Sequence, residues 1–151
     1  MLTDEKTLHK VLVSITDELQ NRKQILRTAG VANIDEYNRN AEKKLYRIVF
    51  ACDEIAEVLD KTGLSKQQKD EILKIESELS IIARQGRAFG IHLVLATQRP
   101  DATILNGQIR NNIDTRICGR ADNVLSQIIL DNTDASDKIA KSSQGRFLTN
   151  S

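Results

Sequence analysis

Apolar positions follow two different rhythms along this chain. Leu8, Val11, Leu12, Ile15, Leu19 and Leu26 recur at helical spacing and predict one amphipathic helix over residues 4–28, stopped by Gly30. Arg22 falls close to that apolar stripe, where a charge is costly unless paired. It reads as an arginine whose head reaches water from an apolar surface, or as a functional residue. Residues 31–40 are polar and irregular and predict a simple connection. The rhythm then changes: Ile48, Val49, Phe50, Ala51 and Cys52 are apolar without alternation. Such a run predicts a strand over residues 46–52 buried on both faces, as in a parallel sheet.

Helical spacing returns with Ile55, Val58 and Leu59, a short helix, after which residues 61–69 break the pattern and predict a mobile loop. Ser65 and Gln68 have capping-box spacing and should open the next helix. Ile72, Ile75, Leu79, Ile82 and Gly86 line one face of it, over residues 67–88. Gly90 ends this helix, and residues 91–96 predict a second buried strand. Strand, helix, strand is the βαβ signature of a parallel sheet. Beyond it the pattern predicts a helix over residues 101–112, with Ile104, Leu105 and Ile109 inward, and a strand over 115–119. Asp122 can cap a helix carrying Val124, Leu125, Ile128 and Ile129. A short helix over 135–139 and a last strand over 145–148 complete an α/β chain.

Ligands of such sheets bind outside the carboxyl ends of the strands, so Asp53 and Glu54 would stand at the mouth of a site. In P-loop ATPases an apolar strand ending in two carboxylates is the Walker B element. The first holds Mg²⁺, directly or through water, and the second polarises the attacking water. Taken alone, the stretch suits an ordinary core strand followed by a solvated acidic helix start equally well. The second strand also ends in polar groups, Thr97, Gln98 and Arg99 before Pro100.

Composition narrows the field. The 151 residues amount to about one domain, and 22 basic against 21 acidic residues leave a net charge of +1, unlike a strongly basic nucleic-acid binder. Without Trp, and with three Phe and two Tyr, the chain offers no base-stacking platform. His9 and His92 stand apart, so no zinc constellation arises. Cys52 and Cys118, both in predicted strands, read as buried small hydrophobes in a reducing compartment. No stretch resembles a signal peptide or a membrane span, and the expected location is cytoplasmic.

The run Ile82-Ala83-Arg84-Gln85-Gly86-Arg87-Ala88-Phe89-Gly90-Ile91-His92-Leu93-Val94-Leu95-Ala96-Thr97-Gln98-Arg99-Pro100 strongly resembles the FtsK/SpoIIIE family of ring-forming motors. The resemblance extends upstream through Asp53-Glu54-Ile55-Ala56 to residues 18–38. Downstream it takes in Ile109-Arg110-Asn111-Asn112-Ile113, Thr115-Arg116-Ile117 and residues 126–131. It implies a RecA-like P-loop ATPase fold with a mostly parallel sheet flanked by helices, assembling as a homohexamer that pumps double-stranded DNA through its pore. ATP and Mg²⁺ would be the cofactors, and a membrane anchor outside this chain could hold the parent to the inner face of the cell membrane. Asp53 resembles the magnesium carboxylate, Glu54 the catalytic carboxylate, and Gln98 a polar sensor of the γ-phosphate, or else a loop-ordering amide. Arg116 matches a family arginine placed to act as an arginine finger, or to make a structural ion pair. Pore loops would follow the strands, which makes Arg99, Arg110, Arg120, Lys138 and Lys141 DNA-contact candidates, or simply balancing charges.

The departures carry information too. No Gly-x-x-x-x-Gly-Lys-Ser/Thr occurs in the 151 residues, so the backbone cradle for phosphates is missing from them. The resemblance implies that this Walker A half lies ahead of Met1, that residues 1–151 form the C-terminal part of one ATPase domain, and that this part alone is inactive. The polar segment 131–141 and the long 61–69 stretch fit a mobile-element or conjugative branch better than a chromosome-segregating one. Two other readings stay open: an ATPase driving protein secretion of the type VII kind, and a catalytically silent oligomerisation or DNA-docking module.

Overall fold

The computed structural model describes residues 5–100 and 107–150, and the chain divides into two compact units, Met1–Thr97 and Gln98–Ser151. In the first unit, α1 (Glu5–Ala29) and α2 (Ile34–Asn40) precede β1 (Ile48–Cys52) and α3 (Ile55–Leu59). Then come α4 (Lys66–Gln85), a 3₁₀ turn (Arg87–Phe89) and β2 (Ile91–Leu95). The stripe Leu8, Leu12, Leu19, Leu26 of α1 and the stripe Ile72, Ile75, Leu79, Ile82 of α4 are all buried. Each such side chain contributes about 1.5–3 kcal/mol when fully withdrawn from water. Thr16 bonds Glu78 and Lys23 bonds Gln85 across the same helix pair, so polar ties flank the apolar seam.

β1 and β2 pair in parallel, from Ile48 opposite Ile91 to Cys52 opposite Leu95. Gly86 makes the junction between α4 and β2 tight: a Cβ there would stand 2.5 Å from the Ile91 carbonyl oxygen and 2.7 Å from that of Ile82. Burial of the strands departs from expectation. Phe50 and Ile91 are buried, whereas Val49 is 60% exposed and Val94 55%. The run without alternation does not mean burial on both faces here, because the helical layer of α4 backed by α1 covers one face of the two-strand sheet.

Three local expectations change as well. Residues 31–40 are not irregular: Asn33 caps α2 by accepting from Glu36 N at 2.9 Å, and the Glu36 carboxylate accepts from Ala32 N at 3.0 Å. The predicted loop 61–69 is shorter, since α4 begins at Lys66 behind the expected Ser65–Gln68 capping box. Lys61 is anchored on buried Glu76, with an N···O distance of 2.7 Å. The long helix stops at Gln85 rather than at residue 88, where the 3₁₀ turn takes over.

The second unit contains α5 (Gly107–Arg110), β3 (Ile117–Cys118), α6 (Asn123–Leu130), α7 (Asp134–Asp137) and β4 (Leu148–Thr149). The first part of the helix predicted over 101–112, with Ile104 and Leu105, lies outside the described residues, as does residue 4 of the first helix. The strand expected over 115–119 is two residues long and pairs antiparallel with β4, in a sheet separate from β1–β2. Cys118, Leu130, Ala135 and Ile139 form the small core of this unit. Buried Ser126 links its helices by donating to Asn132 O at 2.8 Å and accepting from Ala135 N at 3.1 Å. Asp122 caps α6 as expected. Among the described residues no helix is long and apolar enough to cross a membrane.

Arg22 corrects the reading of a charge that reaches water. It is only 4% exposed, because the 3–4 spacing that sets Leu19 and Leu26 on the buried stripe of α1 also sets residue 22 there. Its Nε donates to Glu18 Oε1 at 2.7 Å and its Nη1 to the Phe89 carbonyl at 2.8 Å, which fixes the turn leading into β2. The Arg22 hydrogen bond, aided by Asn21, holds the Glu18 carboxyl below the ordinary carboxylate range. A depressed carboxyl contributes stability that is present above its unfolded pKa and lost as pH falls through its folded value. Glu18→Gln should therefore lower the melting temperature at neutral pH, and its gap to the wild type should close as pH falls below about 4. Thermal melts of both chains across pH check this; a gap that persists in acid would contradict it.

Candidate functional site

The site begins where the ladder of β1 and β2 ends. One residue past β2, Ala96 donates its N–H to Cys52 O at 2.9 Å and accepts from Ile55 N at 2.9 Å. The two bonds grip the chain on either side of Asp53 and Glu54, so these residues arch out at the carboxyl end of the strand. Ile55, Ala56 and Leu59 are buried and anchor α3 directly behind the arch. Glu54 precedes α3 with φ 55 and ψ 62, in the left-handed region, and its side chain makes no capping bond to the helix. For a residue with a Cβ that backbone costs roughly 1–2 kcal/mol.

The arch directs the Glu54 carboxylate toward the end of β2, where Thr97 Oγ1 donates to Glu54 Oε1 at 2.6 Å. Asp53 is exposed and Glu54 half-buried. Their joint negative charge is felt next door: the Cys52 thiol is pushed up first by burial, then by Asp53 and Glu54. Cys118 is pushed up by burial alone, and both thiols are free. Neither behaves as an activated nucleophile.

Asp53, Glu54 and Thr97 thus come together as the sequence pattern of two strand ends implies, although Thr97 was not singled out among the polar residues there. Its position at the end of the neighbouring strand was the available signal; the bond to Glu54 was not. Mg²⁺ is a hard ion that takes one or two carboxylates and completes its shell with substrate phosphates and water. The exposed carboxylate of Asp53 beside Glu54 fits that demand. No group of three or more His, Cys, Asp or Glu able to hold a metal forms among the described residues.

Gln98 and Arg99 are exposed and belong to the second unit, as do the remaining candidates. Arg116 is mostly buried and bonded at home: Nε donates to Ile113 O at 3.2 Å, Nη1 to Asp131 Oδ2 at 3.1 Å and Ile129 O at 3.4 Å, and Nη2 to Arg110 O at 3.3 Å. The ion pair that sequence reasoning allowed is present, with Asp131 as partner. Arg110 is half-buried, Arg120 and Lys141 are exposed, and Lys138 pairs with Asp134 at 2.7 Å along α7.

Comparison with known proteins follows from this geometry. The FtsK/SpoIIIE family model matches residues 1–102, a span that contains Asp53, Glu54, Thr97, Gln98 and Arg99 but not Arg116 or the tail lysines. The chain is 34% identical over 133 residues to DNA translocase FtsK of Chlorobaculum tepidum, covering 87% of this chain and 15% of that protein. DNA translocase FtsK of Chlamydia pneumoniae is likewise 34% identical, over 137 residues, with 87% and 17% covered. The chain therefore spans about one sixth of the length of these curated relatives. Among solved structures, the pCW3 conjugation coupling protein TcpA, in monomer form with ATPγS, superposes with a TM-score of 0.89 at 41% identity. That match covers 97% of this chain and 42% of TcpA. The cytoplasmic domain of the type VII secretion ATPase EccC from Thermomonospora curvata shares the fold, at a TM-score of 0.68 and 23% identity, with 92% of this chain and 16% of EccC covered. The α/β architecture is that of RecA-like motor domains.

Arg116 yields a local test. It ties the end of α5 to the end of α6 through three part-buried backbone carbonyls, and a hydrogen bond from a charged donor contributes about 1.5–3 kcal/mol. Arg116→Met should therefore speed amide exchange over residues 110–113 and 129–131 while leaving α1 and α4 unchanged. Hydrogen-exchange mass spectrometry reads this directly; unaltered exchange in those segments would deny Arg116 its structural role.

Proposed function

This chain belongs to the FtsK/SpoIIIE family, and from that premise we propose that it is part of an ATP-driven motor that moves double-stranded DNA. The observation that carries the proposal is the arch of Asp53 and Glu54 at the carboxyl ends of two parallel strands, clasped by Ala96. Asp53 would hold Mg²⁺, directly or through water, and an ion held there would supply neutralisation of the phosphate charge. Glu54 accepts a hydrogen bond from the attacking water and polarises it. Gln98 senses the nucleotide at the start of the second unit. Arg116, as a finger toward a neighbour's nucleotide, would exchange its present acceptors for phosphate oxygens; its bonds within the unit favour the structural role.

The 151 residues hold no P-loop, and two carboxylates alone repel phosphates, so this stretch by itself is inactive and works within a complete motor. The TcpA likeness, 41% identity across 97% of the chain, supports the conjugative branch over the chromosomal one, at 34% across 87%. DNA rather than protein as cargo fits the curated relatives, which are DNA translocases at 34% identity. Assembly as a hexamer multiplies weak contacts around one duplex, making the ring far tighter than its parts.

In the complete motor, Glu54→Gln should preserve ATP binding and reduce turnover by on the order of 10²–10⁴-fold, the contribution of a positioned base. Asp53→Ala should instead weaken magnesium-dependent nucleotide binding. Near-normal ATPase rates in Glu54→Gln would remove Glu54 from the chemistry and place the catalytic base elsewhere.

DNA binding by the complete motor should be tolerant of sequence and weaken steeply with salt, each phosphate contact adding about 0.9 to the slope of log affinity against log salt. If Lys138 and Lys141 both touch phosphate, their double alanine variant should lose roughly two contacts' worth of slope. An unchanged slope, measured by salt titration of duplex binding, would leave Arg99, Arg110 and Arg120 as the contacts.

A further inference from the structure

Thr97 follows the two bonds with which Ala96 clasps the arch, so its backbone is set by the same ladder that sets Asp53 and Glu54. Its hydroxyl lies 2.6 Å from Glu54 Oε1, the length of a charge-assisted bond from a hydroxyl to a carboxylate. Glu54 itself is held in left-handed backbone at φ 55, one of two non-glycine residues with positive φ among those described. The other, Asp131, closes α6. At residue 54 the left-handed turn has a visible result: the carboxylate turns away from the N-terminus of its own helix, where it makes no cap, and meets the neighbouring strand instead.

We propose that Thr97 is the positioning residue for Glu54, an inference that rests on the reading of Glu54 as the water-polarising carboxylate. The hydroxyl holds Oε1 at the end of β2, and with it the orientation of the carboxylate that polarises the attacking water. A glutamate has three side-chain torsions, and a bond at its tip, with the backbone already set, narrows them. Thr97 touches no reacting atom, and its effect reaches the water through Glu54.

The test is steady-state ATP hydrolysis by the complete motor with Thr97→Val, which keeps the side-chain shape and removes the donor, beside Thr97→Ser, which restores the donor. Thr97→Val should lower kcat by on the order of 10- to 100-fold with KM and nucleotide binding unchanged, the scale on which a misplaced catalytic group is felt. Thr97→Ser should return most of that rate. Added to Glu54→Gln, Thr97→Val should cause no further loss, since both act through one carboxylate. Should Thr97→Val fail to fold, Thr97→Ala replaces it with the same expectation. Full or raised kcat in Thr97→Val, or failure of Thr97→Ser to rescue it, overturns the positioning role even when Glu54→Gln is inactive. Normal turnover in Glu54→Gln overturns the reading beneath it instead, so the two failures are distinguishable.

Discussion

The peptide of Ala96 is where the first unit is drawn together. Its N–H completes the parallel ladder on Cys52, and its carbonyl takes the first amide of α3 at Ile55. Both bonds are ordinary backbone hydrogen bonds, each worth about 1 kcal/mol net, yet together they convert the end of a strand into a fixed arch. Everything chemical in this unit depends on that conversion. Asp53 is displayed because the chain cannot continue as a strand, and Glu54 is turned because the amide of Ile55 is held one residue later. The Ala96 peptide is in turn placed by β2, which is tied to α4 through the tight contact at Gly86 and to α1 through Arg22 and Phe89. The long helix pair is thus the frame that sets the level of the two strand ends.

Much of this frame was legible from spacing alone. The stripes of α1 and α4, the caps at Ser65 and Asp122, and the carboxylates at the end of β1 all follow from local pattern, because each is decided within a few residues. Where apolar spacing was not enough, polar partners decided, some far away in the chain and some three residues on. Spacing sets Arg22 on the buried stripe, and a carbonyl 67 residues later accepts its guanidinium there. Residues 34–40 form a helix despite weak apolar rhythm because Asn33 and Glu36 close a reciprocal cap, a signal that was present and overlooked. Ile48–Cys52 was located correctly, but its burial was overestimated: apolarity of a run says nothing about how many layers cover it.

The site divides in the same way. Asp53 and Glu54 announce themselves by chemistry and position. Thr97 hydrogen-bonds the carboxylate, yet its link depends on a backbone torsion at Glu54 and a register between two strands 43 residues apart, neither of which a linear reading contains. Arg116 illustrates the converse, since its family motif suggested an outward role while its four bonds knit the small second unit, whose own core is only a few side chains.

The left-handed backbone at Glu54 also bears on how this position can vary. Glycine or asparagine would occupy that conformation with less strain, so a chain selected for folding stability alone would drift toward them. Glutamate stands there instead, and under the role proposed for Glu54 stability and chemistry ask for different side chains at this residue. Glycine at this position would relax the backbone and, on the proposed reading, surrender the carboxylate in the same step.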